Sequence, residues 1–507
     1  MVVKNSTEKS VGGKPSIYAQ NGQSRPPIVV VLGHVDHGKT TLISKIYEKD
    51  LTRKEFGGIS QHIGAYQIKI LPTGKQDKSQ KEKPKSITFI DTPGHVAFSK
   101  MRSRGANIAD LAVLVVAADE GVKPQTLESL RHIQEAKIPF LVAINKIDLP
   151  AINLDWVKKN LAENGVLVEG YGGNIVSVPV SAKTGQGISD LLEMIILLGE
   201  MEELRGDPQG SLEAVIIESR LDSRKGPLGV ILIRNGSLRV GDEIETEGIR
   251  GKIKAMVSDK GENLKIAGPS QPVEVLGFTQ VPPVGARVNL AVSKEELGTS
   301  VQKPKVRKEE PTAEGKRLRI ILKTDVRGTL EAILGSLPQE VETIFSEVGN
   351  INESDVLLAK TTGARLFGFN VKAPGAVKKL AESEGVKIKI YKIIYEFLEE
   401  LEEEMRKMLE PTVNEEILGR AKIIAEFIVR NQRVAGCNVE EGEISKQNPL
   451  HLKRGEKVLG DCQVISMKIG KEDVQRVKKG EEFGIVLSGP VDFKVGDMLI
   501  SFKRLPQ

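Results

Sequence analysis

The stretch Gly33-His34-Val35-Asp36-His37-Gly38-Lys39-Thr40 decides the reading of the first third of this chain. An apolar run, Ile28 to Leu32, leads into it, and an amphipathic helical pattern follows. Strand, glycine-framed octet and helix in that order make a phosphate loop. The glycines let backbone N–H groups turn inward around phosphate oxygens, and the helix N-terminus adds partial positive charge. Lys39 is placed to bridge β- and γ-phosphates and the Thr40 hydroxyl to ligate Mg²⁺. Thr41 completes the candidate GTP contacts of this loop.

Two later segments narrow the nucleotide to one carrying guanine. Ser86 to Ile90 reads as a strand delivering Asp91-Thr92-Pro93-Gly94-His95. Asp91 can hold Mg²⁺ through water, and the Gly94 N–H can meet a γ-phosphate. Pro139 to Ile144 reads as another strand, ending in Asn145-Lys146-Ile147-Asp148. The Asp148 carboxylate can accept from both N1–H and the 2-amino group of guanine. Adenine has neither donor, so it would leave buried polar groups unpaired. Ser181-Ala182-Lys183, after the strand Ile175 to Val180, completes the base pocket. Four motifs in this order, each at the carboxyl end of a strand, specify a GTP-binding domain.

Composition sets limits. The 507 residues suffice for about three or four domains, and apolar residues make up 39%, enough for ordinary buried cores. No window approaches the roughly 18 continuous apolar residues of a membrane span. Cys437 and Cys462, the two cysteines, have neither metal-site nor disulfide-framework spacing and fit a reducing cytosol. Residues 1–25 read as a disordered tail without the apolar core of a signal peptide or the Arg-rich pattern of a transit peptide. A net charge of +5 permits binding to RNA without requiring it.

The expected class is multidomain α/β plus β: P-loop GTPase domain, β-barrel, small α/β domain, long connecting helix and C-terminal β-barrel. Residues 26–204 alternate strands and helices as a doubly wound parallel sheet does. The lysine-rich stretch from Pro72 to Lys85 reads as a solvated loop. Residues 208–294 show short alternating runs broken by glycine turns, the pattern of an antiparallel barrel. Residues 295–316, charged and holding Pro304 and Pro311, read as a linker. In 317–390 a small α/β domain is expected, with a strand at Leu318–Lys323, a helix near Thr329–Leu337 and strand-like segments at Ile344–Phe345, Val356–Leu358 and Phe367–Val371. A helix over 391–410 follows from apolar Ile393, Ile394, Phe397, Leu398, Leu401, Met405 and Met408, its acidic face merely solvated. Residues 411–507 repeat the barrel grammar, though no internal repeat stands out in the sequence.

With the phosphate loop, Gly57-Gly58-Ile59-Ser60-Gln61-His62-Ile63-Gly64-Ala65-Tyr66, and Asp91 to His95 in view, the chain resembles the translational GTPases. Gly368-Phe369-Asn370-Val371, Ile393-Ile394-Tyr395 and Val434-Ala435-Gly436-Cys437 narrow the resemblance to the bacterial initiation-factor-two branch. The resemblance implies a ribosome-stimulated GTPase that brings formylmethionyl initiator tRNA to the small ribosomal subunit and promotes joining of the large one. Implied partners are both ribosomal subunits, that tRNA and other initiation factors, with no membrane; a cytoplasmic monomer is expected. Many members carry a long N-terminal extension where this chain has its short tail.

By position within the resemblance, His95 is the catalytic residue that positions the attacking water, and Asp36 helps neutralise the phosphates. His34 and His37 are loop structure. Thr40, Ser60 and Asp91 form the implied Mg²⁺ set; Ser60 stands where threonine is usual, which keeps the hydroxyl and loses a methyl. Cys437, Lys468, Glu482 and Gly484 fall where the family surrounds the formyl-methionyl end. Ile469 replaces an arginine and Phe483 a cysteine, so either apolar packing on methionine replaces ionic character there, or Cys437 and Phe483 are simply barrel core, as small thiols and rings commonly are. A tRNA-delivering elongation factor would need a different second half. A non-hydrolytic scaffold would not need Lys39, Thr40, Asp91 and His95 intact.

Overall fold

Strands that are apolar on both faces need helices above and below them, and residues 28–201 supply both. The computed structural model describes residues 22–48, 59–70, 85–291, 317–409, 415–429, 432–455, 457–488 and 492–504. Expectations for the tail up to residue 21, for Gly57-Gly58, for most of the lysine-rich stretch and for nearly all of the linker lie outside the described residues. The chain divides into two compact units, residues 1–405 and 406–507.

The first unit begins with a six-stranded sheet. Its elements are β1 (Ile28–Gly33), α1 (Lys39–Tyr47), β2 (Gly64–Ile70), β3 (Lys85–Asp91), α2 (Ser99–Ile108), β4 (Leu111–Ala117), α3 (Pro124–Ala136), β5 (Phe140–Asn145), α4 (Leu154–Glu163), β6 (Ser177–Pro179) and α5 (Ile188–Met201). The strand order is β2-β3-β1-β4-β5-β6. All neighbours are parallel except β2, which runs antiparallel along β3 at the edge, so the sheet is mixed and not purely parallel as expected. Every residue of β1 and β4 is buried, and Val29, Val31, Val113 and Leu141 pack with Leu42, Ile43, Leu191 and Ile195 of the flanking helices. This sheet aligns the carboxyl ends of β1, β3 and β5, where the nucleotide motifs sit.

A closed barrel follows: β7 (Glu213–Asp222), β8 (Gly226–Asn235), β9 (Glu243–Thr246), β10 (Ile249–Ser258), β11 (Pro272–Phe278) and β12 (Arg287–Leu290). Its cyclic order is β7-β8-β11-β10-β9-β12, with β12 returning to β7. Polar contacts hold it to the nucleotide domain. The Tyr47 hydroxyl donates to Asp259 at 2.9 Å, and the Gln67 N–H donates to the same carboxylate at 3.0 Å.

The small α/β domain comprises β13 (Leu318–Thr324), α6 (Arg327–Ser336), β14 (Val341–Val348), α7 (Glu353–Thr362), β15 (Arg365–Phe369), α8 (Gly375–Ser383) and β16 (Ile388–Tyr391). Its parallel sheet has the order β14-β13-β15-β16. Val356–Leu358, expected as strand, lies inside α7. The reason is a reciprocal cap: the Asn352 side chain accepts from the Asp355 N–H at 3.0 Å, and the Asp355 carboxylate accepts from the Asn352 N–H at 2.9 Å. Helix α8 went unanticipated. Helix α9 (Ile394–Leu409) buries Ile394, Phe397 and Leu401. Phe397 meets Phe367 and Tyr391 edge-on, at 5.5 and 5.7 Å between ring centres. Its acids are not merely solvated: Glu404 pairs with Lys389 and Arg365, both at 3.3 Å, and Glu400 also pairs with Lys389.

In the second unit β17 (Glu415–Val429), β18 (Gln432–Ser445), β19 (Leu450–Arg454), β20 (Lys457–Ile469), β21 (Glu482–Ser488) and β22 (Met498–Arg504) close another barrel. β18 and β20 are each continuous along their length. Long strands accommodate irregularities as register shifts, as between Ile423 and Ala425 opposite β18.

Asp110 ties the first unit together. Arg25 grips it with both terminal nitrogens, at 2.6 and 2.7 Å, the Ile28 N–H donates to it at 2.9 Å, and Arg234 of the barrel reaches it at 3.1 Å. Removing one partner of a buried pair strands the other charge, at a cost of about 3 kcal/mol. Asp110→Ala should therefore lower the urea midpoint of the first unfolding transition markedly. A midpoint within error of the wild type would show that this cluster is not structural.

Candidate functional site

The phosphate loop is shaped by backbone that other residues cannot follow. Gly33 lies at φ 147°, and a Cβ there would sit 2.3 Å from the Val115 carbonyl oxygen. Gly38, at φ 85°, caps α1, and a Cβ there would sit 2.4 Å from the Asn145 amide nitrogen. The close approach serves a contact: the Asn145 side chain donates to the His37 carbonyl at 2.9 Å and accepts from the Ala182 N–H at 2.9 Å. One amide thus braces phosphate loop and base loop together.

Lys39, at the start of α1, is buried and donates to the His34 carbonyl at 2.6 Å. Burial lowers its ammonium to about 8, while the Asp91 carboxylate opposes that shift. Thr40 and Ser60 place their hydroxyls in hydrogen-bond contact, and Asp91 ends β3 nearly buried. Thr92 pins that strand end by donating to the Val31 carbonyl at 2.8 Å. Val35, Asp36, Lys39, Thr40, Thr41, Ser60, Gly94 and His95 share one cavity of roughly 190 Å³. The hydroxyls and carboxylate are the hard oxygen donors that suit Mg²⁺. His37 is buried beside the Val115 carbonyl and pushed down to about 4 by that burial, so its ring is neutral.

His95 is half-buried. Burial, then the Arg102 guanidinium, lowers its pKa, which keeps it neutral at neutral pH. Its Nδ1 accepts from the Ala97 N–H at 2.9 Å. On the base side, Asp148 accepts from the Ser181 hydroxyl at 2.6 Å, which holds its carboxyl below the ordinary range. Ile147 donates its N–H to the Val180 carbonyl at 3.4 Å, fixing the loop to the strand end. Lys146 leans on Asp119 and Glu120 at 3.4 and 3.5 Å, and Lys183 is exposed.

Sequence reasoning missed three contributors. Arg102, fully buried on α2, donates to the carbonyls of Pro93, Gly94 and His95 at 3.0, 3.0 and 2.5 Å and pairs with Glu128 at 2.7 Å. Gln61 and Tyr395 also line the cavity. None of the three belongs to a motif whose residues bind phosphate, so only three-dimensional proximity reveals them.

The residues expected around an initiator tRNA occupy three adjacent strands. Cys437 faces Phe483 across β18 and β21, and Lys468 of β20 faces Gly484. Lys468 and Glu482 are exposed, and Lys468 pairs with Asp473 at 3.4 Å. Cys437 is fully buried, with its thiol pushed up to about 12 by that burial. Phe483 is 4% exposed and belongs to the same barrel core. Both side chains therefore take the core reading of the two that the sequence left open, and Phe483 offers little apolar area to the outer face.

Residues 24–200 match the family Elongation factor Tu GTP binding domain, residues 211–290 match Elongation factor G domain 2, and residues 293–402 match Translation-initiation factor 2. The chain is 43% identical to Translation initiation factor IF-2 of Halothermothrix orenii, over 94% of this chain and 72% of that protein. It is 42% identical to Translation initiation factor IF-2 of a Picosynechococcus species, over 99% of this chain and 53% of that one, so it spans about half of that relative's length. Among solved structures, GDP-bound aIF5B from Aeropyrum pernix aligns with 94% of this chain and 92% of that chain, at 28% identity and a TM-score of 0.47.

Because the Asn145 amide braces both loops, Asn145→Ala leaves a buried carbonyl and a buried N–H unpaired. Guanine-nucleotide affinity should fall on the order of tenfold to a hundredfold, read by titration with a fluorescent GDP analogue. Unchanged affinity would remove Asn145 from the site.

Proposed function

The chain belongs to the translation initiation factor IF-2 family, and from that premise we propose that it hydrolyses GTP on the ribosome while delivering formylmethionyl initiator tRNA to the small subunit and promoting subunit joining. The convergence of Lys39, Thr40, Ser60 and His95 on one cavity, with Asp148 and Ser181 on the far side of the Asn145 brace, is the observation that carries this reading.

In this reading the loop N–H groups and Lys39 cradle the phosphates, and binding of a polyanion restores full charge to an ammonium that burial, and then the Arg102 guanidinium, depress. Thr40, Ser60 and Asp91 would hold Mg²⁺, which would supply neutralisation of the phosphate charge. Asp148 selects guanine through its two donors. The Ser181 hydroxyl fixes the carboxylate's orientation and leaves its other oxygen for the base. Gly94 presents its N–H to the γ-phosphate, and His95 orients the attacking water. Arg102 fixes the three carbonyls of Pro93 to His95, so the water-positioning loop is rigid before substrate arrives.

For the tRNA, exposed Lys468, Glu482 and the Gly484 backbone lie side by side on the second unit's barrel and offer polar contacts to an acceptor end. Phe483 is unavailable, so recognition there rests on polar groups and backbone.

The test has two arms. GTP turnover is measured with and without ribosomes for the wild type and His95→Ala, and affinity is compared for formylated and unformylated initiator tRNA. Ribosomes should stimulate the wild type. His95→Ala should keep GTP binding and lose about a hundredfold of stimulated hydrolysis. The formylated tRNA should bind more tightly. A wild type indifferent to ribosomes and to formylation would refute the proposal.

A further inference from the structure

The catalytic histidine touches a residue from outside the nucleotide domain. The Tyr395 ring, in the first turn of α9, meets the His95 ring edge-on at 4.1 Å between centres and 75° between planes. Tyr395 also lines the nucleotide cavity, close enough to Asp36 of the phosphate loop for that carboxylate, after burial, to help hold its phenol above the ordinary value.

The first turn of α9 is itself pinned by the nucleotide domain. Gln61, buried and directly after Ser60, donates from its side-chain nitrogen to the Lys392 carbonyl at 2.9 Å and accepts from the Ile394 N–H at 3.2 Å. A closed circuit results. Thr40 touches Ser60, Ser60 leads to Gln61, Gln61 grips residues 392–394, and Tyr395 returns to His95.

The pose held this way is chemically specific. With Nδ1 accepting the Ala97 N–H, the neutral imidazole carries its proton on Nε2. A ring in that tautomer donates from Nε2 and cannot accept a hydrogen from water there. Orienting a water so that its lone pair faces phosphorus requires an acceptor nitrogen, so His95 must leave the Ala97 N–H to act. The Tyr395 ring packs against the imidazole that would have to turn.

We propose that Tyr395 is a positioning residue that parks His95 in a resting pose, so that displacement of the first turn of α9 is what releases the imidazole for hydrolysis. The inference rests on His95 being the water-positioning group of the proposed function.

Single-turnover hydrolysis of γ-labelled GTP by the full chain, with and without ribosomes, tests it. Tyr395→Ala should raise the rate without ribosomes about three- to tenfold, the scale of one lost aromatic edge contact. Tyr395→Phe keeps the ring on His95 and should restore the slow rate. In the double variant with His95→Ala the rise should vanish. A ribosome-free rate for Tyr395→Ala equal to or below that of the wild type overturns the parking role, as does a rise that persists without His95. Failure of ribosomes to stimulate the wild type would instead refute the underlying GTPase assignment, so the two failures are distinguishable.

Discussion

The nucleotide site depends on one amide. Asn145 stands at the end of β5, and from there its side chain donates to the phosphate loop and accepts from the loop that would face the base. Two loops that each have high conformational freedom become a single rigid groove because one planar group satisfies a buried carbonyl and a buried N–H together. Gly38 follows from this constraint, since a side chain there would occupy the space of the Asn145 nitrogen. The sheet order permits this, because β4 alone separates β1 from β5.

What lies beyond the groove is arranged to sense it. Ser60 and Gln61 are neighbours in sequence, yet the first faces Thr40 and the second grips the start of α9. His62, next in line, meets Asp325 of the α/β domain at 2.9 Å. Three consecutive side chains thus connect the Thr40 hydroxyl to the start of α9 and to the α/β domain. A shift of a few tenths of an ångström at Ser60 cannot be absorbed locally, because buried Gln61 has both its amide groups committed. The methyl lost where serine replaces the usual threonine leaves these hydrogen bonds intact. Its consequence would fall on packing alone.

The nucleotide motifs were legible because their chemistry needs particular residues at particular spacings: glycine where φ is positive, lysine at a phosphate, aspartate at a guanine. The strands carrying them were legible because full burial makes them continuously apolar, as in Leu111–Ala117. Val356–Leu358 misled because a short apolar run does not reveal its period, although the Asn352 and Asp355 pair marks a helix start three residues upstream. The contacts that Arg102 and Tyr395 make at the site were not legible. Each acts through its place in space, against residues reached only once α2 and α9 have packed. Cys437 and Phe483 left two readings open, because matching a position to a functional pattern says nothing of which face of a strand it occupies; both are buried.

The two barrels carry a relationship that their sequences conceal. In the first, each strand's neighbours by order of appearance run first, second, fifth, fourth, third, sixth, and back to the first. In the second unit the sequence is the same: β17 pairs with β18, β18 with β21, β21 with β20, β20 with β19, β19 with β22, and β22 with β17. All twelve pairings are antiparallel. Alternating burial fixes which face is inside but leaves side-chain identity free, so one closed topology tolerates sequences with no visible repeat. Closure also removes the sheet edges, which frees the outer faces to carry different chemistry. The first barrel uses its surface to hold the nucleotide domain through Asp259, and the second presents Lys468 and Glu482 outward. Two frames built alike within therefore differ in what their outer faces carry.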